Sequence, residues 1–174
     1  MNKKIHTKFA VASEGMIRDL TSLIQTITHE KFGHLLPKDQ LDNYIAHHLT
    51  AKKLIADLNS LSNQWLITYI DDHPAGYACL TTKGQRPPAL TDKKAMRIAG
   101  FGLDRDHTTP ESLQALMGKC LAALQSSEII WINLEAGSPL LPFFEQNGFV
   151  RQSTEAQLDE LPIPSVYLIR ERKG

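Results

Sequence analysis

The sequence predicts an α/β fold, with a mixed central sheet flanked by helices. Three observations support this fold class. Apolar residues recur at helical spacing through most of residues 13–61, β-branched and aromatic residues then form runs of strand length, and a marked helix start at Thr109 separates two such runs. A strand, a helix and a strand in that order form a βαβ unit with a parallel pair, whereas a hairpin is antiparallel. We therefore expect both strand directions in one sheet.

Length and composition limit the organisation and the partners of the chain. Its 174 residues are enough for one sizeable core, so we expect a single domain spanning residues 1–174. Nineteen basic and nineteen acidic side chains leave a formal net charge of zero, which gives no electrostatic reason to expect nucleic acid or a membrane as a partner. Cys79 and Cys120 lie in apolar segments without the spacing of metal ligands, and no apolar run is long enough for a secretory signal or a membrane span. These features predict a cytoplasmic protein with two buried, reduced thiols.

The first third of the chain is predicted to be mainly helical. A short strand at residues 4–11 precedes a helix that Ser13 caps and Gly33 ends. Pro37, at a first-turn position, opens a second helix, and Thr50 caps a third.

Strands dominate the next third. Residues 64–70 and 75–82 form the two strands of an antiparallel hairpin around an aspartate-rich turn. A third strand follows a loop and covers residues 95–103, where Gly100 and Gly102 indicate a bulge or a close approach by another backbone.

The last third begins with a strong helix signal. Thr109 supplies a capping hydroxyl, Pro110 suits the first helical position, and Glu111 complements the helix dipole. An apolar strand at residues 128–134 follows this helix. A short helix near two prolines and a final strand at residues 166–170 complete the chain.

Two stretches carry a resemblance to a known family. The hairpin WLITYIDDHPAGYACL is similar to the GNAT pattern of an apolar strand, an acidic turn and a Gly-Tyr pair in the next strand. The later segment EAGSPLLPFFEQNGFV is similar to the GNAT motif in which a short helix with two aromatics ends in Gly-Phe, here Gly148 and Phe149. The order of predicted elements extends the likeness over nearly the whole chain, so the sequence resembles a divergent GNAT N-acetyltransferase.

The resemblance implies transfer of an acyl group, such as acetyl, from acyl-CoA to an amine of a small molecule or a protein. Acetyl-CoA or another acyl-CoA is the implied cosubstrate, no metal is implied, and a homodimer is a possible assembly because many relatives dimerise. The implied cosubstrate-binding positions include the strand along which pantetheine lies and the helix start that holds the pyrophosphate. They are Phe101, Gly102, Leu103, His107, Thr108, Thr109, Ser112 and Phe144.

The phosphate loop departs from the family pattern. That pattern reads Arg or Gln, two residues, Gly, one residue, then Gly or Ala, and this chain has HTTPES instead. Pro110 removes one amide donor and Glu111 adds a carboxylate near the expected phosphates, so both changes are expected to weaken CoA binding. Phe144 replaces a tyrosine that protonates the leaving thiolate in many relatives, and phenylalanine has no such proton.

Two residues of the sequence are candidates for catalysis. His107 is one candidate, as a phosphate contact or a base, with a solvated loop histidine as the alternative. Glu135 is the other, because it ends a strand at the edge where open sheets place their sites, although an exposed strand-end acid would give the same pattern. Tyr77 is a candidate pocket residue, with a core position as the alternative. The histidines of the first helices lack metal-ligand spacing, so no metal site is predicted.

Two other functions stay open at the level of the sequence. A GNAT-like binding module that has lost turnover would explain Pro110, Glu111 and Phe144. An unrelated α/β enzyme would instead show parallel strands that do not separate at residues 100–103. The sequence does not identify the acceptor, because a fold does not set its substrate.

Overall fold

The computed structural model describes residues 2–172, which form eight strands and five α-helices in the order β, three α, three β, α, β, α, three β. Their bounds are β1 Ile5–Phe9, α1 Glu14–Phe32, α2 Lys38–His48, α3 Ala51–Leu58, β2 Asn63–Ile70, β3 His73–Thr81, β4 Met96–Leu103, α4 Pro110–Ala123, β5 Ile129–Glu135, α5 Leu141–Gln146, β6 Val150–Arg151, β7 Ala156–Gln157 and β8 Pro164–Glu171. The strands form one sheet in the order β1-β2-β3-β4-β5-β8-β6, with β7 on β8. Pair β4–β5 is parallel, whereas β1–β2 and β5–β8 are antiparallel, so the predicted mixed sheet is confirmed.

The predicted helix caps are present. The Ser13 hydroxyl accepts a hydrogen bond from the Met16 amide at 3.3 Å, and the Thr50 hydroxyl accepts one from Lys53 at the same distance. Helix α1 ends at Phe32, with Gly33 as its cap. Pro37 differs slightly from the expectation, because it lies before the first helical residue of α2. These local signals were sufficient to locate the three helices.

The β2–β3 hairpin has a tighter turn than the sequence analysis assumed. Asp71 and Asp72 have φ values of 50° and 66°, and they are the two residues between the strands. Positive φ at both positions matches the twist of a two-residue hairpin, and aspartate tolerates this region better than most residues. His73 and Pro74 therefore belong to β3 and do not interrupt it.

Contacts divide the chain into two compact units. Unit 1 comprises Met1–Cys79 and Gly100–Ala122, and unit 2 comprises Leu80–Ala99 and Ala123–Gly174. In unit 1 the apolar face of α1 packs on residues of α3, β2 and β3, so the helical first third covers this part of the sheet. The buried members of this core are Met16, Ile17, Leu20, Leu23, Ile24, Ile27, Leu54, Ile67 and Tyr77.

Unit 2 has a core of its own. Leu90, Trp131, Tyr167 and Ile169 pack together, and the Trp131 and Tyr167 rings meet edge to face with centroids 5.9 Å apart. The Arg97 guanidinium lies 4.9 Å from the centre of the Trp131 ring. Aromatic contacts and a stacked cation thus fix the end of β4 that belongs to this unit.

The parallel pairing of β4 and β5 is short. It joins Met96–Ile98 to Ile130–Ile132, although β4 continues to Leu103 and β5 to Glu135. The ladder thus ends before the two glycines of β4.

Three further observations concern membrane-spanning helices, metal ligands and the cysteines. Within residues 2–172, no helix combines the length and apolarity needed to cross a bilayer. Over the same residues, no group of His, Cys, Asp and Glu side chains is arranged to hold a metal ion. Cys79 and Cys120 are buried free thiols, as predicted.

Candidate functional site

The last residues of β4 have one edge on β3 and one edge turned away from it. The Asp104 amide donates to the Ala75 carbonyl of β3 at 2.8 Å. Backbone groups of alternate residues point to opposite edges of a strand, so Gly102 faces β3 whereas Phe101 and Leu103 face the opposite way. We call the edge formed by the backbone of Phe101 and Leu103 the outer edge of β4. It is the edge on which the implied pantetheine arm would lie.

Lys31 of α1 covers this outer edge. Its Nζ donates to the Phe101 carbonyl at 2.5 Å. A Cβ placed on Gly102 would lie 3.2 Å from both Cε and Nζ of Lys31 and 3.3 Å from Ile27. The absence of a side chain at Gly102 therefore makes room for a lysine that occupies a backbone acceptor of the strand.

Gly100 serves the packing of an aromatic ring. A Cβ at this position would lie 2.9 Å from Cε2 of Tyr77 and 3.4 Å from its hydroxyl oxygen. Tyr77 is buried, belongs to the core of unit 1, and stacks with Trp65 at a centroid distance of 6.1 Å. The close approach that the sequence predicted at the two glycines is thus made by side chains, and Tyr77 occupies the core position that was its alternative.

The second carbonyl of the outer edge also has a partner. The Thr108 hydroxyl lies 3.3 Å from the Leu103 carbonyl and 2.7 Å from the Asp104 carbonyl, and its single proton favours the shorter contact. Both acceptors of the outer edge are therefore close to side-chain donors of the same unit.

We use the name β4–α4 loop for residues 104–112, which link β4 to α4 and include the first three residues of α4. Asp104 organises the first turn of this segment. Its carboxylate accepts hydrogen bonds from the His107 amide at 2.9 Å and from the His107 ring Nδ1 at 2.7 Å. A short 3₁₀ turn, Arg105–His107, results. The structure thus places the His107 ring against a carboxylate, so it is not simply a solvated loop histidine.

Thr109 and Ser112 cap each other at the start of α4. The Ser112 amide donates to the Thr109 hydroxyl at 3.1 Å, and the Thr109 amide donates to the Ser112 hydroxyl at 2.9 Å. The Ser112 hydroxyl donates in turn to the His107 carbonyl at 2.6 Å, and Ser112 is completely buried. This reciprocal arrangement is a capping box with serine in the place of the usual Glu or Gln. It takes two of the amides that a bound phosphate would need.

The remaining groups of the β4–α4 loop offer few hydrogen-bond donors and little positive charge to an anion. Pro110 has no amide proton. The Arg105 amide donates to both carboxylate oxygens of Glu30, at 3.1 and 3.2 Å. Asp104, Asp106 and Glu111 give the β4–α4 loop three carboxylates against one guanidinium and one histidine. The loop is therefore a poor site for a pyrophosphate in this conformation.

In unit 2, Phe144 of α5 lies in the core. Its ring meets Phe149 at a centroid distance of 5.1 Å and Phe143 at 5.8 Å, and it is completely buried. A side chain that is closed off from solvent cannot contact a cosubstrate without moving. Phe144, one of the implied cosubstrate-binding residues, thus has the geometry of a core residue that anchors the Gly148-Phe149 turn.

Glu135 ends β5 among other buried polar groups of unit 2. Only 6% of its surface is exposed, which excludes the alternative of an exposed strand-end acid. Ser165 is its direct neighbour on β8. Among residues 2–172, the hydroxyl of Ser165 and the amide oxygen of Asn133 are buried and have no hydrogen-bond partner. Buried polar groups are normally paired, so this exception marks a candidate site for a polar ligand or a proton.

Sequence reasoning missed Glu30 and Lys31. They are consecutive residues in the last turn of α1, and each contacts a segment about seventy residues away along the chain. A lysine and an acid near a helix end are common on protein surfaces, so no local sequence pattern distinguishes these two residues from ordinary surface charges. Asp104 offered a clearer signal, because an aspartate three residues before a histidine at a strand end is a typical cap.

Comparisons with known proteins identify the fold. No protein-family model matches the chain, and no curated protein matches its sequence. Solved structures do match. The PaiA N-acetyltransferase from Thermoplasma acidophilum, solved in complex with coenzyme A, is 10% identical with a TM-score of 0.79, covering 97% of this chain and 99% of its own.

Two further structures show the same likeness. An acetyltransferase of the GNAT family from Streptococcus pneumoniae is 10% identical with a TM-score of 0.67, covering 98% of this chain and 100% of its own. FeeM, an N-acyl amino acid synthase from uncultured soil microbes, is 13% identical with a TM-score of 0.67, covering 98% of this chain and 92% of its own. The chain therefore has the GNAT fold over nearly its whole length, which confirms the predicted fold class.

Proposed function

We propose that this chain transfers an acyl group, such as acetyl, from a CoA-type thioester to the amine of a small molecule or a protein. The short ladder between β4 and β5 carries the proposal, because it ends at Ile98 and Ile132 whereas β4 runs on to Leu103. A strand that continues past its parallel partner offers an edge to which an extended pantetheine arm can add. Similarity to a structure that contains coenzyme A supports the same placement.

The proposed reaction needs little from the protein beyond position. The neutral amine attacks the thioester carbonyl carbon, a C–N bond forms, the C–S bond breaks, and the departing thiolate takes up a proton. The attacking nitrogen loses one proton to a base or to water. Holding both reactants in line supplies much of the rate enhancement, and a backbone N–H of the outer edge is suited to polarise the carbonyl.

Glu135 is our candidate for the base. A buried carboxylate beside the unpaired polar atoms of Asn133 and Ser165 is suited to accept a proton from an ammonium group. His107 is a second candidate, because the Asp104 carboxylate at its Nδ1 orients the ring and leaves Nε2 to accept a proton. No group in this proposal requires a metal.

A second candidate is a GNAT-fold binding module without turnover. The capping of Thr109 and Ser112 by each other favours it, because the amides that anchor a CoA pyrophosphate are then engaged. Occupation of the Phe101 carbonyl by Lys31 favours it as well. Under this reading the buried polar groups of unit 2 bind a ligand without acyl chemistry.

One experiment separates the two candidates. The purified protein is mixed with acetyl-CoA and each of a panel of amines, namely amino acids, polyamines and lysine-containing peptides, and the free thiol is measured over time. Acyl transfer predicts thiol release that depends on both protein and amine, together with a product heavier than the amine by one acetyl group. If thiol release is no faster than with heat-denatured protein for every amine and every thioester donor, the result contradicts acyl transfer and supports the binding module.

A further inference from the structure

The two halves of the implied acyl-donor site are closed in different ways. At the outer edge of β4, the Phe101 carbonyl is held by Lys31, whose amine lies at the end of a four-carbon chain. In the β4–α4 loop, the closing groups are the short side chains of Thr109 and Ser112, which are fixed by the helix that they cap. A flexible contact and a fixed one respond differently to a ligand.

The outer edge is covered by contacts that side-chain rotation can release. Lysine has many rotamers, so its amine can leave Phe101 for solvent without moving the backbone. The Thr108 contact to Leu103 is long at 3.3 Å, and the same hydroxyl keeps a 2.7 Å bond to the Asp104 carbonyl if Leu103 is released. A pantetheine arm can therefore replace these contacts with its own amide groups.

The β4–α4 loop does not open in this way. Releasing the amides of Thr109 and Ser112 requires the first turn of α4 to lose its cap, and Ser112 is completely buried. Pro110 cannot supply an amide in any conformation. Three carboxylates in this loop also oppose the pyrophosphate and the 3′-phosphate of CoA.

We propose that the acyl donor of this chain is a thioester of pantetheine or phosphopantetheine that lacks the nucleotide part of CoA. The proposal rests on the acyl-transfer function proposed above and names its donor class. The pantetheine arm adds to the outer edge after Lys31 moves aside, and nothing anchors a nucleotide at the start of α4. Such a donor can be free or attached to a carrier protein, and the chemistry at the outer edge is the same in both cases.

Calorimetry with the wild-type chain tests the donor class. The four probes are S-acetyl-pantetheine, acetyl-CoA, adenosine 3′,5′-bisphosphate and an acyl carrier protein bearing acetyl-phosphopantetheine. We expect acetyl-pantetheine and acetyl-CoA to bind with dissociation constants within about threefold of each other, and the adenosine bisphosphate not to compete with either. If the carrier-bound donor binds at least tenfold more tightly than free acetyl-pantetheine, the source is a carrier protein. If it binds equally or more weakly, the source is the free thioester.

A variant of the loop provides a second measurement. Pro110→Gly, Glu111→Gln and Ser112→Ala together restore an amide, remove a carboxylate and release the Thr109 amide. Acetyl-CoA is expected to bind at least tenfold tighter to this variant, whereas acetyl-pantetheine binds within twofold of wild type. Gly118→Ala, in the same helix but with open space around it, is the matched control and leaves both affinities unchanged. If the triple variant does not fold, the wild-type comparison decides alone.

The outcomes separate failure of the inference from failure of the function. The proposed donor class is wrong if acetyl-CoA binds at least tenfold more tightly than acetyl-pantetheine, or if the adenosine bisphosphate competes with either donor. Neither result contradicts acyl transfer itself. Binding of none of the thioester donors overturns both. Equal binding of the two free donors without competition by the bisphosphate supports the proposal.

Discussion

The Nζ of Lys31 lies 2.5 Å from the carbonyl oxygen of Phe101, seventy residues further along the chain. This contact joins the last turn of α1 to the outer edge of β4. It places a cation of the protein on a backbone acceptor that an added strand or an extended ligand would otherwise use. Access to the outer edge of β4 is therefore controlled in part by one side chain, that of Lys31.

Replacing Lys31 with methionine should make the outer edge easier to occupy. Methionine keeps an unbranched chain over Gly102 but cannot donate to Phe101, so a ligand no longer competes with an ammonium group. A hydrogen bond from a charged donor contributes about 1.5–3 kcal/mol. In the wild type, the displaced ammonium group regains part of this free energy when it enters water. We therefore expect S-acetyl-pantetheine to bind about threefold to tenfold tighter to the variant by calorimetry.

Lys119→Met is the control for Lys31→Met, because Lys119 is an exposed lysine of α4. It should leave the affinity unchanged. A tenfold loss of affinity in Lys31→Met alone would show that Lys31 contacts the donor directly, and the account of this side chain as a cover would be wrong.

Two glycine substitutions should change stability in opposite directions. In Gly100→Ala the new Cβ would lie 2.9 Å from the buried Tyr77 ring, and such overpacking costs about 1–3 kcal/mol. In Gly118→Ala nothing lies within 4 Å of the new Cβ in helix α4, where alanine is favoured over glycine by about 0.8–1 kcal/mol. Urea unfolding of both variants checks the signs, and equal effects would contradict the close packing at Gly100.

Glu135→Gln should lower turnover if this carboxylate is the base. Glutamine keeps the size of the side chain and its hydrogen-bonding capacity but cannot take up a proton, and loss of a general base costs about 10²–10⁴-fold in rate. Glu128→Gln, at an exposed position before the same strand, is the control and should retain full activity. The measurement is kcat and KM separately. A rise in KM with unchanged kcat would assign Glu135 to binding and remove it as the base.

The buried cysteines should be inert in the folded chain. Burial raises the pKa of the Cys120 thiol from 9.0 to about 12, so the reactive thiolate is scarce at pH 8.5. Mass spectrometry after iodoacetamide treatment should find no added group on the native protein and two on the unfolded protein. The raised pKa also means that the contribution of Cys120 to stability is complete below about pH 9 and declines as the pH rises towards 12, because the unfolded chain ionises first. Rapid alkylation of native protein would contradict the burial.

Local signals in the sequence predicted most of the fold. Ser13, Thr50 and Thr109 each mark a helix start with a side-chain oxygen, and the structure has a helix at each. The two-residue strands β6 and β7 were missed, because their pairing with β8 depends on tertiary contacts and not on a repeating pattern. The parallel β4–β5 pair was predicted from order alone, since a βαβ unit leaves few alternatives.

The candidate site was harder to predict. The proline and the carboxylate at the start of α4 were visible, but the mutual capping of Thr109 and Ser112 was not, because Thr-x-x-Ser is a weaker cap signature than Thr-x-x-Glu. The burial of Glu135 depends on which residues β8 places beside it, and the sequence left this open. Lys31 could not be identified, because a contact over seventy residues has no local signature.

Acyl transfer from a thioester to an amine is the function that we propose for this chain. Its most direct test is the rate of thiol release when the wild-type protein is given S-acetyl-pantetheine and acetyl-CoA with the same panel of amines. Acyl transfer predicts amine-dependent release from both donors, with kcat/KM values within about threefold, and an acetylated amine as the product. No amine-dependent release from either of these donors or from carrier-bound acetyl-phosphopantetheine would contradict it.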